Sequence, residues 1–219
     1  MQNKIKYCLP IQAKTLEEIE TRISKKADII EIWLDHLHEI DFAKLKSLRR
    51  KVGKPFLYVC KGKREKGLFR GTEKERIEVL IKATSCGDYI DVDIRTDKAL
   101  IKKLALSAKK LIISYHNFEK TPINLARTYD KMRSLKPDVI KFSTKINKSR
   151  DIGELFKLII KAEADNQPII TLGMGEKGKI TRILAPQAGN YLYYAPLNKE
   201  DATAPGQMTY NELQEYWNY

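Results

Sequence analysis

Short apolar segments alternate with longer amphipathic segments along all 219 residues of the chain. The short segments are rich in branched and aromatic residues and are bounded by turn residues, which predicts strands. They are 5–10, 29–34, 55–60, 89–94, 111–115, 139–143, 168–172 and 191–195. The longer segments have apolar residues three or four positions apart, which predicts helices. They are 15–25, 42–51, 73–85, 97–108, 124–134, 152–164, a short piece near 180, and 209–217.

The repeating strand–helix pattern predicts the fold class. Most of the predicted strands are apolar on both faces, as in a parallel sheet covered by helices. Eight such units in a chain of this length predict an α/β protein with a (β/α)8 TIM barrel. An open doubly wound sheet is the alternative, but no Gly-x-Gly-x-x-Gly turn follows the first strand. No linker or low-complexity segment divides the chain, so residues 1–219 are predicted to be one barrel domain.

The chain is strongly basic, with a formal net charge of +13. Such a charge can indicate a nucleic-acid partner. The lysines and arginines are spread along the chain, however, with only short clusters such as 61–64. A basic chain also attracts small anionic substrates. We therefore predict a small-molecule substrate and no nucleic-acid partner.

Cysteine and histidine usage indicates a reducing compartment. The three cysteines are far apart, no Cys-x-x-Cys pair occurs, and the only histidines close together are His36 and His38. A zinc site and a disulfide framework are therefore not expected, and we read the two histidines as structural or surface residues. No long apolar segment follows residues 1–6, and no apolar run reaches membrane-spanning length. The sequence predicts a cytoplasmic protein with no membrane partner.

Lys141 stands in the most apolar part of the sixth predicted strand, Asp-Val-Ile-Lys-Phe-Ser. In a strand, Val139, Lys141 and Ser143 would share one face. Burial disfavours an ammonium ion and lowers the pKa of a lysine. A lysine in that state attacks carbonyl carbons and forms a Schiff base. The alternative is an ordinary lysine at a strand end whose charged head reaches solvent.

Polar residues are expected together at one mouth of the barrel, because the carboxyl ends of the strands meet there. In chain order they are Glu31, Lys61, Asp93, Ser114, His116 and Lys141. Neighbouring strands lie about 5 Å apart, so His116 and Lys141 could act on one substrate. Histidine can act as both base and acid near neutral pH. An imine on the lysine would make the adjacent C–H more acidic.

Two further features concern anion binding. Lys61 or Arg182 near Lys141 would lower its pKa further and also hold a substrate anion. The glycine-rich segment 173–178 is a candidate phosphate loop after the seventh strand, although glycines also serve simple turns.

Six segments together resemble the type I 3-dehydroquinate dehydratases, the Schiff-base enzymes of the shikimate pathway. They are 31–36, 67–71, 113–118, 138–141, 173–182 and 204–207, in the order of the family and over nearly the whole chain. The resemblance implies a hydro-lyase that eliminates water in the syn sense from 3-dehydroquinate. The product is 3-dehydroshikimate, a precursor of chorismate and the aromatic amino acids. It also implies a homodimer, and neither a metal nor an organic cofactor.

The resemblance also implies roles for three catalytic residues. Lys141 would form the imine with the ketone of the substrate. His116 would remove the proton from the neighbouring carbon and then protonate the departing hydroxyl group. Glu65 matches a family carboxylate that orients this histidine.

The remaining site residues are implied to bind the substrate. Arg182 would hold the substrate carboxylate, a task suited to a planar two-pronged donor. Contacts with the ring hydroxyls and the carboxylate are implied for Glu31, Thr203 and Gln207.

Two further candidate substrate-binding residues, Trp33 and Lys61, depart from the family pattern. Trp33 stands where the family usually has an arginine after the second strand, and Lys61 aligns best with an arginine after the third. Lysine cannot reproduce a bidentate arginine contact, and losing one charge-assisted bond costs about 1.5–3 kcal/mol of binding. Three alternatives therefore stay open. They are a relative with altered substrate or lost activity, a Schiff-base aldolase acting on a phosphosugar, and an inactive barrel that binds nucleic acid.

Overall fold

The computed structural model describes residues 5–217. Residues 1–4, part of the segment behind the prediction of no signal peptide, lie outside them. The strands are β1 (Lys6–Ile11), β2 (Ile29–Trp33), β3 (Phe56–Val59), β4 (Tyr89–Asp93), β5 (Leu111–Asn117), β6 (Val139–Lys145), β7 (Ile169–Met174) and β8 (Leu192–Tyr194). The helices are α1 (Leu16–Arg22), α2 (Phe42–Val52), α3 (Glu73–Ala83), α4 (Lys98–Ala105), α5 (Leu125–Arg133), α6 (Ser149–Ala164), α7 (Lys179–Gln187) and α8 (Tyr210–Trp217).

The strands form one sheet in the order β7-β6-β5-β4-β3-β2-β1-β8. This is chain order with the last strand beside the first. The pairings of β1 with β2, β2 with β3, β3 with β4 and β6 with β7 are parallel. A parallel sheet in chain order with a helix after every strand is the topology of a (β/α)8 barrel. The predicted fold class is confirmed.

Two compact units make up the described chain, residues 8–112 and residues 113–217 with 5–7. We refer to them as the N-terminal and the C-terminal unit. The prediction that residues 1–219 form one domain stays a prediction.

The N-terminal unit contains β2, β3 and β4, and their residues are all buried. Helix α3 begins with a capping box, in which the Thr72 hydroxyl and the Glu75 carboxylate bond each other's backbone amides. The start of α1 has only half of a capping box. Thr15 accepts from the amide of Glu18, but the Glu18 carboxylate bonds the amide of Lys14.

The C-terminal unit departs from the predicted boundaries in several places. Helix α6 begins at Ser149 instead of 152, and β7 ends at Met174 instead of 172. Strand β5 continues past residue 115 to Asn117, so His116 lies within the strand. Strand β6 continues to Lys145, so Lys141 is the third of its 7 residues and does not stand at its end. The helical piece predicted near 180 is confirmed, and as α7 it extends over 9 residues. None of the helices in the described part of the chain has the length and apolar character needed to cross a membrane.

Candidate active site

Lys141 is buried on β6 with a relative exposure of 4%. In the parallel pairing with β7 it lies opposite Ile170, and its neighbours Ile140 and Phe142 are fully buried. Its Nζ atom lies 4.4 Å from the centroid of the Tyr194 ring on β8. The aromatic face contacts the amine and fixes the position of Nζ. The interpretation as a solvent-reaching lysine is therefore wrong, and the amine is held inside the C-terminal unit.

His116 lies on β5, the strand beside β6 in the sheet. It has a relative exposure of 5%, and its ring stacks on Phe118 with centroids 6.1 Å apart. Ser114, two residues earlier and therefore on the same face of the strand, is fully buried. The structure thus brings the predicted acid–base residue and the predicted nucleophile onto neighbouring strands of one unit.

Arg182 on α7 is a buried cation with a relative exposure of 3%. No hydrogen bond or ion pair to its guanidinium group is found among the residues that the structure describes, and its Nε atom is fully enclosed. Desolvation lowers the pKa of Arg182 to about 10. An unpaired buried charge is costly, and an anionic ligand would offset that cost. Arg182 is therefore suited to binding a carboxylate or another small anion.

Thr203 and Gln207 lie after β8 and are bonded to each other. The Thr203 amide donates to Oε1 of Gln207 over 2.7 Å, and the Thr203 hydroxyl donates to the same oxygen over 3.2 Å. The turn between them contains Gly206 in the left-handed region, with φ of 71°. A Cβ atom on Gly206 would lie 2.3 Å from the carbonyl oxygen of Gly175, so only glycine permits this contact of the two loops.

The glycine-rich segment after β7 does not offer its glycine amides to a phosphate. The Gly173 amide donates to Oγ1 of Thr181, the Gly175 amide to the Pro205 carbonyl and the Gly178 amide to the Gly175 carbonyl. These bonds hold the segment against the start of α7 and against the loop after β8. These three amides are therefore not available to bind the phosphate group that the phosphosugar alternative requires.

Glu31, Trp33 and Lys61 form a buried contact set in the N-terminal unit. Nε1 of Trp33 donates a hydrogen bond of 2.9 Å to Oε1 of Glu31. The Nζ atom of Lys61 lies 4.2 Å from the centroid of the Trp33 ring. The two residues that depart from the family pattern are therefore in contact.

The loop after β3 is anchored by Asp35, which the sequence analysis did not single out. Its carboxylate accepts from the Lys61 amide over 3.0 Å and from the Leu68 amide over 2.9 Å. Gly67 packs tightly inside this loop, since a Cβ there would lie 2.0 Å from the Lys61 carbonyl oxygen. The loop encloses a short 3-10 turn, Lys63–Glu65, which places Glu65.

Glu65 is buried, with a relative exposure of 6%. Desolvation raises the pKa of Glu65 to about 7, although the positive charge of Lys61 acts in the opposite direction. The negative charges of Asp93 and Asp91 raise it further, and Arg76 lowers it. A carboxyl group with such a pKa exchanges a proton near neutral pH, as acid–base catalysis requires.

Arg76 on α3 is a second site residue that sequence reasoning missed. It donates to the Cys60 carbonyl over 2.8 Å and to the Thr96 hydroxyl over 2.9 Å, and it is paired with Glu73. Its Nη1 atom also lies 3.8 Å from Oε2 of Glu65. A pocket of about 310 Å³ opens beside Glu65, Arg76 and Asp93, a volume in the range of small-molecule sites.

Comparison with known proteins decides the family. Residues 7–219 match the family model of the type I 3-dehydroquinases. The chain belongs to this family. A 3-dehydroquinate dehydratase of Coxiella burnetii is 34% identical over 225 residues, which cover 99% of this chain and 94% of that protein. One from Methanocaldococcus jannaschii is 33% identical and covers 96% of each chain.

Solved structures of 3-dehydroquinate dehydratases share the fold of this chain. The 3-dehydroquinate dehydratase of Aquifex aeolicus has a TM-score of 0.79 at 26% identity, with 97% of each chain covered. The type I enzyme of Clostridium difficile, solved with covalently modified comenic acid, has a TM-score of 0.86 at 24% identity. That match covers 99% of this chain and 92% of that one. A 3-hexulose-6-phosphate synthase of Salmonella typhimurium, with a TM-score of 0.62 at 16% identity, shares the fold alone.

Proposed function

We propose that the chain dehydrates 3-dehydroquinate to 3-dehydroshikimate through an imine on Lys141. Membership of the type I 3-dehydroquinase family supports the reaction. The observation that carries the residue assignment is the pair of buried cations in the C-terminal unit. Lys141 is held on an aromatic ring, and Arg182 has no partner in the described chain. A site with a buried amine and an unpaired guanidinium suits a carbonyl compound that also carries an anion.

The proposed steps use only groups of this chain. The neutral Lys141 amine attacks the ketone carbon, and the resulting carbinolamine loses water to give the imine. His116 removes a proton from the carbon adjacent to the protonated imine. The C–H electron pair forms a C=C bond and the C=N pair moves onto the nitrogen, which gives an enamine. The enamine expels the hydroxyl group, which leaves as water with the proton that His116 returns. Hydrolysis of the remaining imine releases the enone and restores the amine.

The family resemblance supports the proposed substrate contacts. Arg182 binds the substrate carboxylate, with Thr203 and Gln207 on the adjoining loop. Glu31 and Lys61 bind ring hydroxyl groups, and Trp33 lies against both. Glu65 takes the role that the family resemblance implies. Because Oε1 of Gln207 already accepts two bonds from Thr203, the Gln207 side chain is left with its Nε2 donors for the substrate.

Borohydride trapping tests the proposal. Incubation with 3-dehydroquinate and sodium borohydride should reduce the imine and leave a stable adduct on the peptide that contains Lys141. Lys141→Met should lose the adduct and the rise in enone absorbance. Lys145→Met is the matched control, because Lys145 is the exposed last residue of the same strand, and it should keep both. Absence of an adduct together with absence of enone formation by the unmodified protein contradicts the proposal. Stabilisation by a phosphosugar but not by dehydroquinate would favour the aldolase alternative.

We also propose that the protein is a cytoplasmic homodimer whose two units unfold as one domain. The three cysteines are buried and none forms a disulfide bond, which suits a reducing compartment. Light scattering should give twice the mass of one chain, and thermal unfolding should show one transition. A nucleic-acid-binding barrel would instead show affinity that falls steeply with salt and that survives in Lys141→Met.

A further inference from the structure

The three residues Glu31, Trp33 and Lys61, here called the Trp33 cluster, are held together by a single indole ring. The ring donates from Nε1 to the Glu31 carboxylate over 2.9 Å and presents its face to the Lys61 ammonium at 4.2 Å. Relative exposures are 2% for Glu31, 6% for Trp33 and 6% for Lys61. One side chain therefore contacts a buried anion with its edge and a buried cation with its face.

Strand geometry explains how the indole reaches both groups. Glu31 and Trp33 are two residues apart on β2, so their side chains leave the same face. Trp33 is paired with Val59 in the register of β2 and β3. Lys61 comes two residues after Val59, just past the end of β3, and therefore emerges on the side of Trp33. Among the twenty side chains, tryptophan combines a ring N–H donor with the aromatic face that binds cations best.

We propose that Trp33 is a positioning residue that holds Glu31 and Lys61 together as the carboxylate and the cation for the hydroxyl-bearing side of the substrate. This inference rests on the proposed function and deepens it. A carboxylate accepts hydrogen bonds from hydroxyl groups and an ammonium donates to them, so a fixed pair suits neighbouring hydroxyl groups on one ring. The ammonium held by Trp33 also acts on Glu65, whose ionised form it stabilises.

A spectroscopic experiment tests the arrangement without any turnover. The chain has two tryptophans, so Trp217→Phe leaves Trp33 as the sole indole. In that background the indole N–H resonance should move upfield in Glu31→Gln, because a neutral acceptor makes a weaker bond than a carboxylate. Lys61→Met should change the emission of Trp33, because it removes the cation from the ring face. The proposal is overturned if the indole resonance does not shift in Glu31→Gln and the emission of Trp33 does not change in Lys61→Met.

Kinetic variants test the positioning role. Trp33→Phe keeps a ring face but removes the donor, and Trp33→Leu removes both. The KM for dehydroquinate should rise about tenfold in Trp33→Phe and further in Trp33→Leu, since one charge-assisted bond is worth about this factor. In both variants kcat should stay within about threefold, as expected for lost binding contacts. Phe56→Leu, a buried aromatic change on β3 outside the cluster, is the control and should leave KM unchanged.

A double-substitution cycle separates positioning from packing. If Trp33 acts through Lys61, the KM effects of Trp33→Leu and Lys61→Met should be less than additive in the combined variant. Fully additive effects, or a Trp33→Leu variant with the KM of Phe56→Leu, overturn the proposal. If the wild-type protein has no dehydratase activity, the proposed function is refuted. The spectroscopic experiment would still test whether Trp33 contacts Glu31 and Lys61.

Discussion

The ammonium group of Lys141 lies on the face of the Tyr194 ring, with Nζ 4.4 Å from the ring centroid. The two residues are 53 positions apart, and they stand on β6 and on the three-residue strand β8. Tyr194 is itself buried, with a relative exposure of 4%. The ring therefore fixes the nitrogen that we propose as the nucleophile.

Substitutions of Tyr194 should distinguish the effect of its aromatic ring from the effect of its hydroxyl group. Tyr194→Phe keeps the aromatic face, so kcat should stay within about twofold and borohydride trapping should proceed at the normal rate. Tyr194→Leu removes the face and leaves Nζ less well placed, so kcat and the trapping rate should fall about tenfold. Leu192→Ala on the same strand controls for loss of packing. Equal trapping rates in Tyr194→Leu and the wild type would contradict this role.

Arg182 should lower the free energy of unfolding of the protein while it strengthens substrate binding. Arg182→Met replaces an unpaired buried charge with an apolar side chain, and the free energy of unfolding should rise by about 1–3 kcal/mol. The same change should raise the KM for dehydroquinate by about 10- to 100-fold, because the charge-assisted bonds to the carboxylate are lost. Denaturant unfolding and initial-rate kinetics measure the two effects.

Arg76 is the comparison for Arg182, because its guanidinium group is equally buried but forms hydrogen bonds and an ion pair. Arg76→Met should lower the free energy of unfolding by about 3–5 kcal/mol, since it leaves Glu65 and a backbone carbonyl without their cation. If Arg182→Met proved as destabilising as Arg76→Met, Arg182 would have a structural partner and the substrate assignment would lose its support.

Glu65 should make stability depend on pH around neutrality. The unfolded chain ionises this group at an ordinary pKa of 4.5, whereas the folded chain keeps the proton until its raised pKa of about 7. The stability contribution is therefore fully present below pH 4.5 and is lost as the pH rises through about 7. The difference corresponds to about 3 kcal/mol, because one pKa unit is worth about 1.4 kcal/mol.

The Glu65→Gln variant cannot ionise at this position, so its unfolding free energy should not show the decrease that Glu65 causes as the pH rises. Relative to the wild type, the variant should gain about 3 kcal/mol of unfolding free energy between pH 4 and pH 8. Glu78→Gln on the exposed side of α3 should leave the pH dependence unchanged. Parallel stability curves for Glu65→Gln and the wild type would show that Glu65 titrates at its ordinary pKa in the folded protein.

The pattern of hydrophobic residues along the chain was sufficient to predict the fold. Strand segments apolar on both faces can only be buried between helices, so eight strand–helix units led directly to the observed topology. The boundaries differed by three residues at the ends of α1 and α4 and at the start of α6, and by two at the ends of α3, β5, β6 and β7. His116 and Lys145 are polar residues that continue their strands, and the glycines at 173–178 hid the start of α7.

The contacts of the site were less accessible to sequence reasoning. Lys141 and Arg182 were found because a charge within an apolar segment is visible along the chain. Tyr194, Asp35 and Arg76 were missed, because each acts on residues far away in sequence. Tyr194 stands in an aromatic run that is equally typical of a core strand, and Asp35 and Arg76 have the composition of an ordinary loop and helix face. Only the register of the strands brings such residues to their partners.

Asp35 has a consequence for how the N-terminal unit opens. Its two carboxylate oxygens bond the amides of Lys61 and Leu68, which bracket the turn that carries Glu65. Both amides donate to the same carboxylate, so a movement of Asp35 that breaks both bonds should let the two hydrogens exchange together. One aspartate just past the end of β2 thus ties both ends of the loop that carries Glu65 to the same point of the N-terminal unit.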